Sequence, residues 1–310
     1  MHKKALILNN KRNTFYFEKF ESKEVDICSV SKTSSKVYTI IYKILKKLKL
    51  KQTRYFYDNW YKNLNKYEKI IILTSAIRDD YNIIENILLK YKNIKIFIFT
   101  WDSSKYEGKY EIVRKIAKKN NIKYYSFDQL DCKKYGFYFN TTMYDKRLGP
   151  SIIDVIKTDV LFVGLIKNRI DEILRIHNLL NEAKINNRFI VVIRNKKIKN
   201  LPFETSKKYI DYFEYIKMVK ESKVILDLCL KEQNGLSLRI MEALFFDKKL
   251  ITTNKEILNT KFYNSNNILY LTSKTTIKEI QEFMSKKFVP YDHEIKDYYS
   301  VESWVKRFEL

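Results

Sequence analysis

Residues Val224 to Asn254 read Val-Ile-Leu-Asp-Leu-Cys-Leu-Lys-Glu-Gln-Asn-Gly-Leu-Ser-Leu-Arg-Ile-Met-Glu-Ala-Leu-Phe-Phe-Asp-Lys-Lys-Leu-Ile-Thr-Thr-Asn. The apolar run Val224 to Leu228 has the length of a buried strand. A polar loop containing Gly235 follows, and Leu236 to Phe246 then carries apolar residues at helical spacing. Ser237 stands where an N-cap belongs, with Lys249 to Thr252 as the next short strand. Strand, loop, helix and strand in this order are the unit of an α/β fold.

The same alternation extends outward. Downstream lie a short strand from Ile268 to Leu271 and a helix from Thr275 to Lys286. Upstream, the pattern predicts strands at Asp159 to Val163 and Arg188 to Arg194, and helices at Asn168 to Ala183 and Tyr212 to Glu221. Before the breakers Gly149 and Pro150, strands are expected at Ala5 to Leu8, Val25 to Val30, Ile70 to Thr74, Ile94 to Thr100 and Lys123 to Phe127. Helices are expected at Tyr81 to Tyr91 and Lys109 to Asn120. The economical reading is two Rossmann-like α/β domains, 1–150 and 151–290. A final helix, Asp297 to Phe308, places Tyr298, Val301, Val305 and Phe308 near one stripe, and the segment 291–310 is expected to return toward the first domain.

With 310 residues and 45% hydrophobic content, the chain can fill cores of this kind. Its net charge of +24 would attract polyanions. Lys far outnumbers Arg, however, and is spread along the whole sequence, while Asn, Ile and Tyr are abundant and Gly is scarce. That is the drift of an AT-rich genome, without the basic stripe or base-reading motif of a nucleic-acid binder. No nucleic-acid partner is expected. Cys28, Cys132 and Cys229 are too scattered for a disulfide framework or a zinc site, which fits a reducing cytoplasm. The apolar run Ala5 to Leu8 is too short for a signal-peptide core, and no run is long enough to span a bilayer.

Two glycines fall where ligands bind. Gly164 follows the strand ending at Val163 and is read as the turn at its carboxyl end, with Lys167 and Arg169 as phosphate candidates at the start of the next helix. Gly235 sits in the loop before Ser237, where backbone N–H groups form an anion site and Arg239 and Glu242 share a helical face. Either segment would also serve as a plain solvated turn.

The block Asn234 to Asn254 resembles the donor site of GT-B glycosyltransferases of bacterial surface polysaccharide, capsule and lipopolysaccharide synthesis. In that family two Glu residues separated by seven others mark the site. Glu242 matches the second, which holds the nucleotide's ribose hydroxyls, and Asn234 stands where the wider family has the first, so the resemblance does not assign stereochemistry. Phe127-Asp128, Asp131, Tyr135-Gly136, Phe139 to Tyr144 and Phe162-Val163-Gly164 are similar to the same group. The resemblance implies two domains facing each other across a cleft, with the acceptor on the first and the nucleotide sugar on the second. The implied donor set is Gly164, Lys167, Arg169, Arg194, Asn234, Gly235, Leu236, Ser237, Arg239 and Glu242, with no metal or other cofactor.

The best-placed acids for a catalytic base are Asp79 and Asp80, which would equally cap the helix after them. His2, His177 and His293 have no metal-ligating partner at suitable spacing. Residues 37 to 51 carry a further signal. Ile40, Ile41, Ile44, Leu45 and Leu48 fall on one helical arc, opposite Lys43, Lys46, Lys47 and Lys49. Such a helix suits either an anionic membrane surface or a core with a solvated basic side. The expected reaction is transfer of a sugar from a nucleotide sugar to a glycan or lipid-linked acceptor, at the inner face of the cell membrane. A metal-dependent GT-A transferase and a basic nucleic-acid-binding protein are the rival readings.

Overall fold

A residue buried on both sides of a layer must find its backbone hydrogen bonds inside that layer, so the apolar runs of this sequence become parallel strands. The structure is a computed structural model that describes residues 4–10, 22–31, 36–48, 57–77, 83–84, 88–101, 107–149, 155–194, 198, 200–230 and 233–309. The chain divides into two units, Met1–Thr141 with Trp304–Leu310, and Thr142–Ser303. The sequence reading set its boundary at residue 150.

In the first unit, β1 (Lys4–Asn9), β2 (Val25–Ser29), β3 (Tyr67–Leu73), β4 (Lys95–Thr100), β5 (Lys123–Ser126) and β6 (Tyr138–Phe139) form one parallel sheet in the order β2-β1-β3-β4-β5-β6. Among the described residues the helices with defined bounds are α1 (Lys36–Lys47), the single turn α2 (Thr74–Ile77), α3 (Glu107–Lys119) and α4 (Gln129–Tyr135). Leu6, Leu8, Ile70, Ile72 and Ile98 pack in one cluster with Ile77, Ile84 and Val113. Helix α4 has local causes. Asp128 caps Leu130 N at 2.8 Å, and Gly136 closes the helix at φ +70° with its N–H on Cys132 O at 2.9 Å.

The sheet closes on residues from the far end of the chain. Trp304 is fully buried against Phe99 at 4.9 Å between ring centroids, and its Nε1 donates to Thr141 O at 2.7 Å. Phe308 is also buried, and its carbonyl accepts from Tyr125 OH at 3.0 Å.

In the second unit the strands are β7 (Thr158–Leu165), β8 (Asn187–Val192), β9 (Glu204–Ser206), β10 (Ser222–Asp227), β11 (Lys249–Thr252) and β12 (Ile268–Tyr270), again all parallel. Their order is β12-β11-β10-β7-β8-β9. The helices are α5 (Ile170–Glu182), α6 (Tyr212–Lys220), α7 (Leu238–Phe245), α8 (Ile277–Ser285), α9 (His293–Tyr298) and α10 (Val301–Lys306). Asp211 caps α6 and a Thr276–Glu279 capping box opens α8.

Three expectations change. The helix expected over 297–308 is broken into α9, α10 and a final turn, because the Tyr299 carbonyl accepts from Tyr144 N at 2.8 Å. Gly164 lies inside β7 and not in a turn, paired with Val191. Of the helix expected over 81–91, residues 83–84 are helical, 81, 82 and 85–87 lie outside the described residues, and Leu88–Lys90 is a 3-10 turn. Helix α1 forms where the spacing predicts it, but its apolar arc does not enter a core. Ile40, Ile41 and Ile44 are about half exposed at 58%, 46% and 52%, and Leu48, just past the helix, at 62%. The helix packs on the unit through Tyr42.

Candidate functional site

Counted within the second unit, the strand order is 3-2-1-4-5-6. In such a sheet the connections from the two central strands leave toward opposite faces, and the gap at their carboxyl ends is where ligands bind. Here that point lies between β7 and β10. A small pocket of about 60 Å³ opens there, lined by Lys167 and Arg169 after β7, Asp227 to Leu230 and Gln233 at and after β10, Gly235, Ser237 and Arg239 at the start of α7, and Asn254.

Asp227 organises the pocket wall. Its Oδ1 accepts from Ser237 Oγ at 2.7 Å and Arg239 Nε at 3.1 Å, and its Oδ2 accepts from Thr252 Oγ1 at 3.0 Å. Ser237 in turn caps α7, its Oγ accepting from Ile240 N at 3.4 Å. The loop before the helix is fixed by Asn254, whose Nδ2 donates to the carbonyls of Asn234 and Gly235 at 3.2 and 3.1 Å. The backbone at the mouth of the pocket is thereby fixed by side chains at or just past the ends of β10 and β11 and at the cap of α7.

Two guanidinium groups share the Phe162 ring, Arg169 at 5.7 Å and Arg239 at 6.0 Å from its centroid. Arg169 is buried. It donates to the carbonyls of Leu228 and Leu165, yet its Nε has no hydrogen-bond partner among the described residues. Burial and the neighbouring Arg239 charge push its pKa down to about 10, so it remains a cation at neutral pH. Burial also pulls on Arg239, but Asp227, Tyr215 and Glu242 outweigh it and leave that guanidinium more firmly charged than usual. Gly164 explains the close approach, since a Cβ there would meet the Phe162 ring at 3.0 Å and Arg169 Nη2 at 3.3 Å. Its missing side chain makes room for the arginine instead of for a ligand.

The structure therefore brings Lys167, Arg169, Gly235, Ser237 and Arg239 together. Asn234 and Leu236 flank them in the loop, the Leu236 carbonyl accepting from Thr142 Oγ1. Arg194 does not line this pocket and lies over the Tyr209 ring, with Nη1 on its hydroxyl at 3.2 Å. Glu242 does not line the pocket either. It is 1% exposed and accepts from Tyr215 OH at 2.6 Å, with Tyr144 and Tyr212 hydrogen-bonded to each other at 2.8 Å close by. Burial raises its carboxyl to about 7 against the opposing pull of Tyr215, Arg239 and Tyr212. Asp79, Asp80 and Lys49 lie outside the described residues.

Asp227 and Asn254 are absent from the expected set. The signal for Asn254 is its place at the end of a strand beside the loop in question, and Asp227 ends an apolar run where a charge is costly unless paired. In the first unit the order reverses between β1 and β3, and polar groups gather at the carboxyl ends there. Asn10 Nδ2 donates to Ser75 O at 3.2 Å, Ser75 Oγ to Asn9 Oδ1 at 3.4 Å, and Thr74 Oγ1 to Thr100 Oγ1 at 3.2 Å.

No protein-family model and no curated protein matches the chain. Among solved structures it is similar to an alpha-glucosyltransferase in complex with UDP and a 13-mer DNA containing a central A:G mismatch, with a TM-score of 0.58 and 14% identity, covering 98% of this chain and 94% of that one. It is also similar to AviGT4, a glycosyltransferase involved in Avilamycin A biosynthesis, with a TM-score of 0.56 and 7% identity, covering 99% of this chain and 96% of that one. At such identities the likeness is one of fold. The chain is an α/β protein of two Rossmann-like domains, the GT-B architecture, and the GT-A alternative has no support in it.

Proposed function

We propose that this chain is a glycosyltransferase that holds a nucleotide sugar by its diphosphate in the pocket between β7 and β10. One observation carries the reading: three cations, Lys167, Arg169 and Arg239, converge with the capped start of α7 at the point where this topology binds ligands. In this reading Glu242 acts through its charge on Arg239, one helical turn away, in place of the ribose contact that the resemblance implies.

The acceptor is a glycan or lipid-linked saccharide of bacterial cell-surface polysaccharide synthesis, and the partly exposed Asn10 and Ser75, at the carboxyl ends of β1 and β3, are suited to its hydroxyls. An anionic membrane surface completes the setting, because α1 presents Ile40, Ile41 and Ile44 to solvent on a helix whose sequence also carries Lys43, Lys46 and Lys47. The protein would then work at the cytoplasmic face of the membrane. No helix of the described residues is long and apolar enough to cross one.

The test is a thermal-shift series with UDP, GDP, dTDP and CMP. A ligand at about 100 times its Kd stabilises by about 2.7 kcal/mol. We expect at least one diphosphate to raise Tm by several degrees, and no response to any of the four would overturn the assignment. A second reading, a nucleic-acid acceptor, is favoured by the +24 charge and by the DNA in the alpha-glucosyltransferase complex. Binding of duplex DNA that persists at 0.15 M salt, with sugar transfer onto it, would establish that reading over the glycan.

A further inference from the structure

We propose that Asp227 is a positioning residue for the donor, acting through Arg239 and Ser237. This rests on the reading of the pocket as a diphosphate site. Asp227 is 1% exposed, so an anionic ligand has little access to it, and a carboxylate beside a phosphate would repel it. Yet it ends β10 in the middle of the pocket wall, and its two oxygens bind the three side chains that set the wall's shape.

The geometry gives each bond a consequence. Arg239 Nε is taken by Asp227 and Nη1 reaches Val163 O at 3.4 Å, so the guanidinium plane is fixed and Nη2 is the group left to meet a ligand. The bond to Ser237 Oγ holds the cap residue of α7, which aims the first N–H groups of that helix. The bond from Thr252, on the adjacent strand β11, holds the carboxylate itself against rotation. A neutral isostere keeps the volume but loses the charge that pins Arg239, and its amide nitrogen cannot accept.

The test compares wild type and Asp227→Asn for binding of UDP, GDP and dTDP, and of uridine, guanosine and thymidine, by calorimetry. We expect affinity for the diphosphate that binds wild type to fall about tenfold or more, in line with the loss of a charged hydrogen bond, with nucleoside affinity unchanged. General loosening of the fold would lower both. In an Arg239→Gln background the same substitution should have a smaller effect on diphosphate affinity, because only the route through Ser237 remains, and an undiminished effect would count against the arginine. If Asp227→Asn does not fold, Thr252→Val, which removes one of the three bonds, should show a smaller loss of the same kind. Wild type that binds no nucleotide overturns the proposed function and this inference together. Wild type that binds while the variants bind equally well, or lose nucleoside and diphosphate alike, overturns this inference alone.

Discussion

Glu242 sits among tyrosines, and burial raises its carboxyl to about 7, above the ordinary 4.5 of an exposed glutamate. Between these two values the folded chain keeps a proton that the unfolded chain has released, so stability is fully present below the lower value and is lost as pH rises through the upper. The cost is roughly 1.4 kcal/mol for each unit of difference. Glu242→Gln retains an oxygen for the Tyr215 hydroxyl and does not titrate. Its Tm should therefore fall less than that of wild type between pH 5 and pH 8, and parallel curves for the two proteins would show that Glu242 is already ionised when folded. At this scale the sequence discloses what lies in consecutive residues. Gly235, Ser237 and Arg239 are legible because a loop glycine, a cap and a cation occur in order before an apolar helix. Asp227 is not, since its partners come from α7 and β11, and Gly164 misleads because a strand can need a glycine for a neighbouring side chain.

Among the elements, most strands are readable from apolar runs, and the boundaries move by up to three residues. Those missed are short and held by neighbours. Strand β6 has two residues and β9 three, and both exist by pairing with β5 and β8 at the sheet edges. The break between α9 and α10 needs the Tyr144 N–H, which no local pattern shows. Helix α1 is the opposite case, a pattern visible in sequence whose apolar residues stay about half exposed in the fold. With Ile40, Ile41 and Ile44 exposed, vesicles of anionic lipid should retain the protein at low salt and release it as screening grows. Replacing Lys43, Lys46, Lys47 and Lys49 by Gln should abolish that retention. Neutral vesicles binding equally well, or a variant retained like wild type, would remove this helix from the membrane account.

For the whole molecule, the return of Trp304–Leu310 to the first unit makes that unit discontinuous along the chain. Removing these residues uncovers Phe97, Phe99 and Tyr125, all of which pack on Phe308. A chain ending at Ser303 should lose amide-exchange protection in β3 and β4 while β7 and β10 keep theirs. Equal protection in both sheets, or equal loss, would refute this partition.

The same connectivity has a meaning in time. The strands of the first unit are synthesised first, but the indole and phenyl rings that seal β4 and β5 arrive only after all of Thr142–Ser303 has been made. At about 5 to 20 residues per second, the aromatic face of that sheet waits on the order of 10 to 30 seconds. During that interval the nascent first unit carries a sticky, unfinished surface, while the second can complete its own sheet from contiguous sequence. Birth order and completion order are thus reversed, and a cell making this protein has reason to keep a holdase near the ribosome.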